Sequence, residues 1–165
     1  MIAEGLLINQ GKDPMAYATI NDLLEVEPTI TEYGVLEWDT QLARSETEVN
    51  RILSVRWWPQ YMKQGRRYDI KVLSGGPLMD ITRLDATQWK QATVYHALAY
   101  HICPKLTQFG GGEPDKFQVM MNYYQGRFEH EMDLCIREGV RYDSNDDNTF
   151  EDAEKIPDTY LRLRR

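Results

Sequence analysis

The sequence predicts a mainly α protein: a helical bundle with a β-hairpin insertion and an extended C-terminal arm. Three observations lead there. Apolar residues recur at three- and four-residue spacing along most of residues 19–138. Between residues 65 and 84 the period changes to two around a Ser74-Gly75-Gly76-Pro77 turn. Gly139 closes the longest helical pattern and leaves an arm from Val140 onward. The expected organisation is a helical domain over 1–139 and an arm over 140–165.

Residues 1–18 lack periodicity and carry Gly5, Gly11 and Pro14, which reads as an N-terminal arm. Thr19–Val26 has the marks of a short helix, with Thr19 as cap, Asp22 three residues on, and Pro28 to end it. Thr29 and Glu32 form a capping-box pair near Ile30, Tyr33, Trp38 and Leu42, with Gly34 as the weak point. Ser45 and Glu48 form a second such pair, leading into Val49, Ile52, Leu53 and Trp57 on one face. Pro59 stops or kinks that helix. Tyr68, Ile70 and Val72 alternate with Asp69 and Lys71 as a strand does, and Leu78–Leu84 is its expected partner across a hairpin spanning about 68–84. A helix starting near Asp85 or Thr87 puts Trp89, Ala92, Tyr95, Ala99, Ile102 and Leu106 on one face and kinks or ends at Pro104. Residues 108–114, with three consecutive glycines, form a loop. The longest helix, about Asp115–Glu138, aligns Phe117, Met121, Tyr124, Phe128, Met132, Cys135 and Ile136.

A chain of 165 residues, 42% hydrophobic and 27% charged, is long enough for one domain with a substantial core. Its longest apolar runs fall far short of a bilayer span. Met1–Gln10 shows neither the basic start nor the apolar run of a signal peptide. Two cysteines, Cys103 and Cys135, make neither a disulfide framework nor a zinc site, and a reducing compartment is the expectation. The net charge of −7 is uneven: residues 129–158 hold eleven acidic and three basic side chains. That balance argues against DNA binding, which needs a clustered positive surface. The basic end (Arg162, Arg164, Arg165) reads as a docking tail.

The most distinctive stretch is Asp143–Glu154, DSNDDNTFEDAE, which fits the register of an EF-hand calcium loop. Such a loop takes oxygen ligands at positions 1, 3, 5, 7, 9 and 12. Those positions hold Asp143, Asn145, Asp147, Thr149, Glu151 and Glu154, with Thr149 offering its backbone carbonyl and Glu151 acting through a water. Asn148 replaces the usual Gly of the sharp turn and is the next best residue for a left-handed conformation. Phe150 would let the loop lean on a core. The competing reading is an acidic, solvated linker, and Ile156-Pro157 breaks any exiting helix at once.

No pattern calls for catalysis. His96 and His101 stand five apart on one predicted helix, which puts them on different faces, and His130 lies between Glu129 and Glu131. All three read as structural or surface histidines. Adjacent carboxylates such as Asp146/Asp147 lack the two environments that acid–base pairs need. The triple glycine 110–112 lacks the strand–helix setting of a phosphate loop. No enzyme is expected, and no cofactor is required beyond candidate calcium. Trp57-Trp58 and Tyr123-Tyr124 cannot both face one core, because helix neighbours point about 100° apart. Trp57, Trp58 and Tyr123 are therefore candidates for contact with another subunit.

Three blocks, ITEYGVLEWDTQLARSETEVNRILSVRWWP (30–59), QWKQATVYHALAYHICPKLT (88–107) and DKFQVMMNYYQGRFEHEMDLCIREGVRYD (115–143), give the chain a resemblance to a known family. About half of the chain is similar to the head–tail connector (adaptor, or neck) proteins of tailed bacteriophages. The resemblance implies a homo-oligomeric ring, commonly of twelve subunits, beneath the portal of the capsid. It implies that the C-terminal arm docks on the portal protein, with Tyr160, Leu161, Arg162, Leu163, Arg164 and Arg165 as contacts. It further implies that the 68–84 hairpin meets a neighbouring subunit or the next neck or tail protein. The place would be the head–tail junction of the virion, after assembly in the host cytoplasm. DNA would pass through the channel without specific binding, helped by an acidic wall, and no membrane is involved. Two other classes stand beside it: a calcium-dependent, EF-hand-like interaction module, and a small nucleic-acid-binding protein, which the acidity disfavours.

Overall fold

A computed structural model describes residues 16–63, 78–108 and 113–151. The protein is mainly helical, as the periodicity predicts. Helix α1 is Ile20–Val26, α2 is Asp39–Arg56 and α3 is Trp58–Lys63. A 3₁₀ turn over Ile81–Arg83 precedes α4 (Ala86–His96), which continues without a break through a π-helical segment (Ala97–Ile102) and the last turn α5 (Cys103–Leu106). Helix α6, Lys116–Glu138, is the longest.

Local chemistry sets most helix ends. The Asp22 carboxylate accepts from the Thr19 N–H and hydroxyl at 2.8 and 2.7 Å, as the capping pair predicts. Asp85 accepts from the Thr87 N–H at 3.0 Å and starts α4. Asp115 accepts from the Gln118 N–H at 2.8 Å and starts α6. The central rod of α4 and the π segment packs against α2 on one side and α6 on the other. It is accordingly buried all round from Ala92 to Ala99. Trp38, Val49, Leu53, Trp89, Leu98, Ile102 and Met132 are completely buried there.

Several expectations need correction. The Thr29/Glu32 pair starts no helix: residues 28–34 form turns, Gly34 takes φ 87°, and regular helix begins at Asp39. Trp38 inserts into the core instead, its indole donating to the Ile30 carbonyl at 3.4 Å. Ser45 and Glu48 therefore lie inside α2 rather than at a cap. Leu78–Leu84 is no strand. Asp80 accepts from the Thr82 N–H at 3.0 Å and folds the segment into the 3₁₀ turn. Leu84 then makes an isolated antiparallel bridge to Tyr142. Among the described residues there is no strand, and Tyr68–Val72, the hairpin's other half, lies outside them.

The histidine geometry also differs. Five residues on an α-helix stand about 140° apart. In the π segment, however, the Cys103 N–H bonds to the Leu98 carbonyl five residues back. Pro104 follows at once and has no N–H to bond one turn back, so a regular ladder could not run through it. The wider turn brings His96 and His101 onto the same face, their rings 5.6 Å apart.

Candidate functional site

Helix α6 delivers the chain to a short buried crossing that roots the C-terminal arm. Gly139 takes φ 100°, a conformation that strains any side chain-bearing residue, and turns the backbone out of the helix. Val140, Tyr142 and Asp143 are then buried. The Asp85 N–H donates to the Arg141 carbonyl at 3.1 Å, and the Asp143 N–H donates to the Arg83 carbonyl at 2.9 Å. Gln88 holds the same segment with both ends of its amide. Its nitrogen donates to the Gly139 carbonyl at 3.0 Å, and its oxygen accepts from the Arg141 N–H at 2.9 Å.

Charges reinforce the pin. The Arg141 guanidinium reaches Asp85 at 3.0 Å. Burial pushes the Asp85 carboxyl up, but the bonds from Thr87 and Arg141 together outweigh it and hold the group below the usual carboxylate range. Arg83 donates to the Ser144 carbonyl at 3.3 Å and stands 3.4 Å from the Asp146 carboxylate. Aromatic rings cover the crossing. Tyr142 packs against Trp57, Trp58 and Tyr61 at centroid distances of 5.6, 5.4 and 5.3 Å. Trp57 is buried in this cluster, Trp58 is half-buried, and Tyr123 on α6 is 59% exposed.

The acidic loop folds on itself through bonds from its own backbone, with residues 144–151 exposed. Asn148 takes the left-handed conformation expected of it, φ 63°, and so does Asp146. The two carboxylate oxygens of the buried Asp143 accept from the N–H groups of Asp147 and Asn148 at 3.1 and 2.9 Å. Asn145 accepts from the Asp147 N–H at 3.1 Å. Asp147 accepts from the N–H and hydroxyl of Thr149 at 2.8 and 2.6 Å, and these bonds hold its carboxyl below the usual range. Phe150 does not seal the loop onto a core and is 36% exposed, as Thr149 and Glu151 are exposed. Glu154 and the docking residues 160–165 lie outside the described residues.

Sequence reasoning missed the anchors Arg83, Gln88 and Arg141, whose partners are distant in the chain. It also missed where titratable groups converge. Among the described residues, three ligand atoms drawn within 4.8 Å of one another come from Glu48, His96 and His101, not from the loop carboxylates. Burial holds the His96 imidazole down to about 4 despite the neighbouring Glu48 carboxylate. Cys103 and Cys135 are free and buried, and burial pushes both thiols up to about 12. Comparison of the chain with protein-family models, curated proteins and solved structures finds no match. No helix among the described residues is long and apolar enough to cross a membrane.

Proposed function

We propose that the chain is a structural, non-catalytic head–tail connector of a tailed bacteriophage, one subunit of a ring that docks on the portal and continues the DNA channel toward the tail. The observation that carries this reading, beside the sequence resemblance, is the pinned root at Gly139–Ser144. A segment held by backbone, amide and guanidinium bonds gives the residues beyond it a defined starting point. A second feature fits a ring. Val119, Tyr123 and Leu134 share one face of α6 and are exposed by 58, 59 and 42%, apart from the buried stripe. Subunit contacts there, repeated around a ring of twelve, would present many arms at once and raise affinity through avidity.

Ending the chain at Glu151 tests the arm without disturbing the buried Asp143. The shortened protein should keep its helical circular-dichroism spectrum and lose co-sedimentation with portal rings. Normal attachment would sink the reading. Tyr123→Ser should cost the monomer about 1 kcal/mol through its edge contact with Tyr124, keep the helical fold, and lower ring formation on electron micrographs.

The loop geometry favours a second reading, in which Ca²⁺ binds Asp143, Asn145, Asp147, Thr149, Glu151 and Glu154 and sets the arm's direction. The motivating observation is the left-handed conformation of Asn148, at the loop position where an EF-hand makes its sharp turn, with Asp146 left-handed beside it. Calorimetric titration should give heat for wild type and little for Glu154→Gln. A silent wild type rules it out.

A further inference from the structure

The connector reading leaves the Glu48, His96 and His101 cluster unused. Each residue comes from a different segment: Glu48 from α2, His96 from the end of α4, and His101 from the π segment. The convergence depends on the π turn, and single π turns within α-helices are frequent at functional sites.

The two separations from Glu48 are those of a coordination sphere, and the three ligand atoms all lie within 4.8 Å of one another. Glu48 Oε2 stands 3.3 Å from His96 Nε2, and Glu48 Oε1 stands 3.4 Å from His101 Nε2. Zinc binds nitrogen and oxygen ligands at about 2.0–2.2 Å, so neighbouring tetrahedral ligands lie about 3.4 Å apart. His101 Nε2 is buried and makes no hydrogen bond, so its 3.4 Å approach to Glu48 has the distance of an ion pair without the angle of a hydrogen bond. Ligands in a tetrahedral site aim at the ion rather than at one another, which produces that off-line geometry.

The surroundings are those of a supported site. Ser45 is completely buried, and its Oγ lies 3.2 Å from His96 Nδ1, which fixes the ring with Nε2 toward Glu48. The rings of Tyr100 and Phe128 pack on His96 at 4.6 and 4.8 Å and exclude water from that side. Glu48 is half-exposed and lines a groove of about 490 Å³ with Arg51, Ile52, Val55 and Arg56, so the carboxylate side of the cluster is open to solvent.

We propose that Glu48, His96 and His101 form a binding site for a divalent first-row transition ion, with Zn²⁺ the expected occupant. Two imidazoles and a carboxylate suit zinc, whereas Ca²⁺ and Mg²⁺ prefer oxygen-only ligand sets. The site is therefore distinct in chemistry from the acidic loop and independent of the connector reading. An ion there cross-links α2 to the central rod.

The test uses the full chain stripped by chelator. Zn²⁺ calorimetry should show one saturable equivalent that excess Ca²⁺ does not displace, with a rise in Tm. Co²⁺ in its place should give the strong visible bands of a four-coordinate site. Glu48→Ala and His101→Gln should each weaken Zn²⁺ binding by at least roughly tenfold, while His130→Ala binds as wild type does. Circular dichroism of the stripped variants checks folding. If His101→Gln fails to fold, the exposed Glu48→Ala decides alone. No saturable uptake by wild type, uptake undiminished in Glu48→Ala, or an equivalent displaced by Ca²⁺ would each overturn the site.

Discussion

Two glycines show how position sets the sign of one substitution. Gly34 takes φ 87°, and a Cβ built there meets nothing, so Gly34→Ala carries conformational strain without a clash. The expected cost is about 1–2 kcal/mol. Gly126 lies inside α6, and its added Cβ also meets nothing. Gly126→Ala should stabilise the protein by about 0.5–1 kcal/mol. Urea unfolding of both variants measures the two opposite shifts; shifts of one sign would contradict this account. Gly34 is legible in the sequence as a weak point in a helical pattern. That it closes a run of turns ahead of α2, rather than weakening a helix, depends on Trp38, four residues on, being drawn into the core.

At the scale of elements, the pin between residues 83–88 and 139–144 carries the predictions. Gln88→Ala removes both amide bonds to the crossing, with an expected loss of about 1–2 kcal/mol. Hydrogen exchange at the Arg141 amide should speed up more than exchange in the centre of α6. Asp85 adds a pH dependence. Its folded pKa is depressed, so its stabilisation is complete above the unfolded value of about 3.9 and is lost as pH falls through the folded value. Thermal melts should fall in Tm below about pH 4, and Asp85→Asn should flatten that fall. The misread strand belongs here too. Leu78–Leu84 follows a strong turn and is expected as the returning strand, yet Asp80 caps a 3₁₀ turn and Leu84 pairs with Tyr142, 58 positions along the chain. A local pattern does not report a partner that distant. The Asp22 and Asp85 caps, by contrast, bond to residues two or three positions away and are readable from sequence alone.

For the whole molecule, stability centres on the rod that α2 and α6 enclose. Trp89 is fully buried there, and its indole N–H has no hydrogen-bond partner. Trp89→Ala should cost about 3–5 kcal/mol, while Trp89→Phe should cost clearly less, because it deletes an unpaired donor along with part of the ring. Denaturant midpoints of the two variants compare them directly; equal losses would speak against the unpaired donor. The sequence by itself determined the mainly helical class, the cap at Thr19, helix starts near Asp85 and Asp115, the buried stripe of α6 and the left-handed turn at Asn148. Each depends on periodicity or on bonds within a few residues. Only the tertiary structure decided that Tyr142 and Asp143 are buried beneath Arg83 and the aromatic rings, and that Ser45 and Glu48 face two histidines. Those placements follow from packing between distant segments, which leaves no local mark in the chain, and from a π turn of which Pro104 marks the interruption but not which residues come to share a face.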